Sequence, residues 1–143
     1  MVYADTSLIA SCYIQDSMSA TALTTLSGIS DPIPVTALQR LEVRNATKLA
    51  VFRRRITPAE STAVWSDFLS DYRDRKFVRV AVEWRGVFRD AYKLASSHSL
   101  TLGTRSLDIL HVAVACALGA KTFLTFDKRQ RSLAQAVGLQ VLP

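Results

Sequence analysis

SLDILHVAVACALGAKTFLTFD, residues 106–127, is the stretch whose reading decides the fold. From Ile109 to Leu118 nearly every residue is apolar, so a helix here has almost no wet face, and Gly119 supplies its stop. KTFLTF (121–126) then reads as a short buried strand, with Asp127 directly after it. An all-apolar helix feeding a short apolar strand is the signature of a parallel sheet covered by helices. Each end of the stretch also carries a carboxylate. Asp108 enters the helix and Asp127 leaves the strand, and a buried carboxylate is costly unless something pairs with it.

The same alternation extends in both directions. VYA (2–4) is a first strand that ends at Asp5, and Thr6 and Ser7 open a helix. Residues 17–26 suggest a second helix, stopped near Gly28. DPIPVTA (31–37) is a turn and a strand ending at Val35. Thr36 with Gln39 fits a capping box, which predicts a helix from Ala37 to about Phe52. TPAE (57–60) is a stronger start, with a Thr cap, Pro at the first helical position and Glu at the third. Its helix runs through Trp65, Phe68, Leu69 and Tyr72. KFVRVAV (76–82) alternates like a strand, residues 83–98 have helical spacing, and SLTLGTRS (99–106) reads as a loop. DKRQRSLAQAVG (127–138) is a helix closed by Gly138, and LQVL (139–142) is a last strand. The expected fold is α/β: one domain over residues 1–143, with a short parallel β-sheet flanked by α-helices on both faces. No linker, repeat or low-complexity segment interrupts it.

Composition narrows the function. The 143 residues are 49% apolar, enough for a sizeable core, and the net charge of +6 suits an acidic partner such as RNA. Cys12 and Cys116 sit among apolar neighbours and read as reduced core thiols, which points to the cytoplasm. No signal-peptide pattern opens the chain. The longest apolar stretch is broken by His111, Gly119 and Lys121, so no membrane span is expected. The five glycines are scattered, and no P-loop, GxGxxG or GxSxG is present.

Four carboxylates stand in inconvenient places. Open parallel sheets bind ligands beyond the carboxyl ends of their strands, where Asp5 and Asp127 both fall. Glu42 shares a helical face with Leu38, Ala46 and Leu49, which predicts an acid inside an apolar stripe. Asp108 opens the apolar helix. Singly, each acid has an ordinary explanation as a helix cap or an arginine partner. Together they would repel one another unless a cation neutralises them, and hard oxygen ligands suit Mg²⁺, with Mn²⁺ as the alternative. Without the four, eight acids face eighteen Lys and Arg: an acidic pocket in a basic body suits a metal that acts on phosphate.

YADTSLIA (3–10), TALQRLEV (36–43), TRSLDILHVAVACALGA (104–120) and TFLTFDKRQ (122–130) resemble, in order, the motifs of PIN-domain ribonucleases. The likeness is greatest to VapC-like toxins of type II toxin–antitoxin pairs and spans nearly the whole chain. The resemblance implies a Mg²⁺-dependent endoribonuclease with Asp5, Glu42, Asp108 and Asp127 as its acidic quartet. Asp5 and Asp108 would be the metal ligands. It further implies that Thr6, Ser7 and Thr125 offer hydroxyl or N–H groups beside the acids, that a cognate antitoxin covers the pocket, and that the chain forms a homodimer.

Lys128 and Arg129 directly follow Asp127 and are the best placed bases for an RNA phosphate. Arg40, Arg44 and Lys48 lie on roughly the opposite side of their helix from Glu42 and read as a solvated face. His111 reads as a structural imidazole rather than a general base. Two rivals remain. An aspartate-based phosphohydrolase would need a second Asp where Ser7 stands. A basic RNA- or protein-binding module would use the same acids only as helix caps.

Overall fold

The computed structural model describes residues 1–143. In chain order the elements are β1 (Val2–Ala4), α1 (Thr6–Ser11), α2 (Ser19–Ser27), β2 (Ile33–Val35), α3 (Ala37–Phe52) and α4 (Pro58–Arg73). They continue with β3 (Phe77–Arg79), α5 (Trp84–Leu102), α6 (Ser106–Ala117), β4 (Thr122–Leu124), α7 (Lys128–Ala136) and β5 (Gln140–Leu142). They form two compact units: Met1–Asp5 with Ala81–Pro143, and Thr6–Val80. All strand pairs are parallel, as expected, but they divide into a three-stranded and a two-stranded sheet. No helix is long and apolar enough to cross a membrane.

The first unit holds the sheet β1-β4-β5, with Ala4 opposite Leu124 and Leu124 opposite Leu142. Three-residue strands are enough because α6 buries Ile109 and Val112–Ala115 in the same core as Tyr3 and Phe123. Tyr3 stacks on Phe123 at 5.4 Å, and its hydroxyl meets His111 Nδ1 at 2.8 Å, so His111 is a satisfied core imidazole. The Glu83 carboxylate caps α5 by accepting from the Arg85 and Gly86 N–H groups. That helix runs beyond the predicted stop, through Leu100, which is 97% exposed. Nothing in SLTL breaks a helix. Gly103 does, at φ +62°, and the expected loop shrinks to residues 103–105. Burial along α6 ends at Ala115, so Cys116 is exposed rather than in the core.

The second unit pairs β2 with β3, Ile33 opposite Phe77. The predicted strand at 76–82 contracts to Phe77–Arg79, although the Val80 N–H still donates to Val35 at 3.1 Å. Both predicted capping boxes form. Gln39 Oε1 accepts the Thr36 N–H at 2.8 Å, and Glu60 Oε2 accepts the Thr57 N–H at 2.6 Å. Phe68 is fully buried against Tyr13, Trp65, Tyr72 and Phe77, at centroid distances of 5.4–5.7 Å. Cys12 is half-buried, and burial, with Asp71 and Asp16 behind it, pushes its thiol up to about 12.

Helices α3 and α4 end alike. Arg54 donates to Val51 and Arg55 to Ala50; Arg75 donates to Tyr72 and Lys76 to Asp71. The turn residues Arg54 and Arg75 take left-handed φ of 56° and 57°, a place that usually falls to glycine.

Phe68→Ala should destabilise the protein by about 3–5 kcal/mol in urea unfolding, whereas Leu100→Ser should change stability by less than about 0.5 kcal/mol. A Phe68 effect below about 1 kcal/mol would mean that the aromatic cluster does not hold this unit together.

Candidate active site

The carboxyl ends of β1 and β4 are adjacent because the strands are parallel and in register. The Asp5 N–H continues the ladder by donating to Leu124 at 2.9 Å. This puts fully buried Asp5 beside Thr125, whose Oγ1 donates to Asp5 Oδ2 at 2.9 Å and accepts the Asp127 N–H at 2.9 Å. One hydroxyl thus ties the first acid to the last.

Asp127 is the N-cap of α7. Its Oδ1 accepts from Arg129 N–H at 2.7 Å and Gln130 N–H at 3.1 Å. Asp108, in the first turn of α6, is 2% exposed. Its Oδ2 accepts the Arg105 backbone N–H at 2.9 Å and Nε at 3.0 Å; Oδ1 takes Arg105 Nη2 at 3.1 Å and Gln130 Nε2 at 3.4 Å. The same Nη2 reaches Asp127 Oδ2 at 3.0 Å. Asp5, Asp108 and Asp127 therefore lie on one hydrogen-bonded chain through Thr125, Arg105 and Gln130. Burial pulls the Asp108 carboxyl upward, but the Arg105 side chain and backbone N–H, with Gln130 behind them, outweigh it and leave it below the ordinary carboxylate range.

In the second unit, Glu42 Oε2 accepts from Thr6 Oγ1 at 2.7 Å. The buried face of α3 is Gln39, Val43, Thr47 and Ala50, so Glu42 flanks the core stripe instead of lying within it. Of the three residues that suggested an apolar surround, Leu38 and Ala46 are only half-buried and Leu49 is exposed. Arg40 and Arg44 are not a solvated row: their guanidinium carbons lie 5.5 and 4.9 Å from the Trp65 ring centroid. Ser7 is exposed on α1, and Lys128 and Arg129 are exposed on the first turn of α7.

Two residues at the site went unnoticed in the sequence, although both had a signal. Arg105 stands three before Asp108, the spacing of a helical ion pair. Gln130 stands three after Asp127, where a capping-box glutamine belongs. Gln130 is 6% exposed, and its Oε1 is buried with no donor.

No group of three or more His, Cys, Asp or Glu side chains is disposed to hold a metal ion as they stand. The donor chemistry nevertheless fits a hard divalent cation. Asp5, Asp108 and Asp127 offer only oxygens, and the orphaned Gln130 Oε1 would accept from a metal-bound water.

The PIN domain family model matches residues 2–136. The chain belongs to the PIN domain family. Two PIN-fold structures superpose along it. VapC20 from Mycobacterium tuberculosis, described as a sarcin–ricin-loop-cleaving toxin, is 17% identical with a TM-score of 0.66 and full coverage of both chains. FitAcB from Neisseria gonorrhoeae is 15% identical with a TM-score of 0.64, covering 100% of this chain and 97% of the other. No curated protein matches the chain.

Because the folded-state pKa of Asp108 is depressed, its bonds stabilise the protein fully above the unfolded carboxyl pKa of about 3.9 and are lost as pH falls through the folded value. Asp108→Asn should therefore flatten the dependence of urea stability on pH below about pH 4. An unchanged slope would remove Asp108 from the titrating set.

Proposed function

We propose that this PIN-domain protein is a metal-dependent endoribonuclease, the toxin of a toxin–antitoxin pair, acting as one functional domain over residues 1–143. The observation that carries this reading is the linkage of Asp5, Asp108 and Asp127 at the strand edge of the first unit, in a chain of this family. The toxin VapC20 and FitAcB lend it support as structural neighbours.

Asp5 and Asp108 are the proposed ligands of Mg²⁺ or Mn²⁺, with Asp127 and Glu42 completing the quartet. When bound, the ion lowers the pKa of a coordinated water and offsets charge on the phosphate. The chain's own residues do the positioning. Thr125 fixes the Asp5 carboxylate by donating to Oδ2. The α7 N-terminus fixes Asp127 through two backbone N–H groups, and Thr6 holds Glu42. Gln130 orients Asp108 through Nε2 and presents Oε1 as a free acceptor. Lys128, Arg129 and the exposed Ser7 are the proposed contacts to RNA, the first two through phosphate. A cognate antitoxin and a second copy of the chain are the proposed protein partners, and the cytoplasm the proposed compartment.

The binding-module reading has one observation in its favour: Asp127 does cap α7, and both Asp108 and Asp127 do pair with Arg105. Cleavage separates the two. Asp5→Asn and Asp108→Asn should each keep the fold and RNA affinity but lose Mg²⁺-dependent RNA cleavage by at least about a hundredfold. Undiminished cleavage in either variant would remove that residue from the machinery. Wild-type protein that cuts no RNA with Mg²⁺ or Mn²⁺ would favour the binding module.

Lys128→Gln and Arg129→Gln should each weaken RNA binding and reduce the slope of log affinity against log salt by about 0.7 for single-stranded RNA. An unaltered slope in both would place the RNA backbone elsewhere.

A further inference from the structure

We propose that Arg105 is the built-in counter-ion of the acidic site, bridging Asp108 and Asp127 in the metal-free protein and exchanging with the divalent ion when it binds. The inference rests on the metal-dependent reading above and assigns a role to a residue that reading does not use.

The bonding pattern separates what fixes each carboxylate from what neutralises it. Asp127 Oδ1 is held by two backbone N–H groups of α7, while Oδ2 faces Arg105 Nη2. Asp108 Oδ2 is held by the Arg105 backbone N–H and also takes Arg105 Nε, while Oδ1 is shared between Nη2 and Gln130. If the side chain of Arg105 withdraws, both carboxylates keep their placing bonds, and each presents an oxygen to a new cation. One nitrogen, Nη2, spans those two oxygens at 3.1 and 3.0 Å, which makes it the stand-in for an ion coordinated by both.

Exposure makes the exchange easy. The Arg105 side chain is 64% exposed, whereas that of Asp108 is 3% exposed. The guanidinium lies over the acids from the solvent side, so a solvated cation can take its place without the core opening. A permanent structural clamp would instead be a buried, fully bonded arginine. Gln130 adds an independent sign: its buried Oε1 has no donor in this state, and the hydration shell of a divalent ion would supply one. With Arg105 in place the protein is ordered without metal. With the ion in place the guanidinium is released to solvent.

The test is metal binding without RNA. Mn²⁺ is titrated calorimetrically into wild type, Arg105→Gln, Arg105→Lys and Arg129→Gln. Arg129 is a neighbouring base whose loss changes the charge equally without breaking the bridge. Arg105→Gln should tighten Mn²⁺ binding by about tenfold and Arg129→Gln by no more than about twofold, with Arg105→Lys, which keeps the charge but not the fork, in between. The metal-free Arg105→Gln protein should melt a few degrees lower and regain the loss in Mn²⁺. In wild type, the Arg105 Nε–H resonance should shift on adding Mg²⁺, a measurement that needs no variant to fold.

Equal tightening by Arg105→Gln and Arg129→Gln, or an Arg105 resonance indifferent to saturating Mg²⁺, overturns the exchange while leaving the metal-dependent reading intact. Failure of both wild type and Arg105→Gln to bind either ion overturns that reading and this inference with it. Binding by the variant alone supports the exchange.

Discussion

Two carboxyl groups buried inside the fold, Asp5 and Asp108, are the constraint around which the first unit is arranged. An uncompensated buried carboxylate costs several kcal/mol, a large share of the stability of a domain this size. The compensation comes from near and far in sequence: Arg105 from just before α6, Gln130 from α7 and Thr125 from beyond β4. Each fixes something larger than itself. The Thr125 bond requires Ala4 opposite Leu124, because a shift of one residue would turn every β1 side chain to the other face. The Arg105 and Gln130 bonds fix where α6 and α7 begin.

The same bonds explain why capping a helix and the proposed metal binding are not competing descriptions of these acids. A carboxylate placed by backbone N–H groups keeps its other oxygen for a cation, as Asp127 Oδ2 does for Arg105. The helix start is thus a cheap way to hold a ligand rigidly. Thr125 uses its hydroxyl in both directions, as donor to Asp5 and acceptor for Asp127, so the spacing between first and last acids is set by one small side chain.

Much of this was legible from local chemistry. The Thr57–Glu60 box and the Pro after it fixed the start of α4, and Gly119 and Gly138 marked the ends of α6 and α7. That Asp5 and Asp127 open onto one sheet edge followed from their places at strand ends, whereas the pairing of β1 with β4 that joins them did not. What escaped notice depends on packing between elements. Nothing local says that Leu100 and Cys116 face water, or that Val43 rather than Glu42 faces the core of α3. Arg105 was hidden because an arginine before a helix reads as surface charge until its partner is seen to be buried. The division of the strands into two sheets likewise depends on pairing that no single strand specifies.

The left-handed arginines closing α3 and α4 have a consequence for how this protein could be altered. An L-residue with a side chain pays roughly 1 kcal/mol to adopt that backbone state, partly offset by a cation's favourable place at a helix C-terminus. Glycine or asparagine would relax both corners, yet each exchange would also subtract a positive charge from a chain whose surplus is only +6. Rigidity and positive charge therefore pull in opposite directions at Arg54 and Arg75. A variant hardened there would be sturdier and less basic.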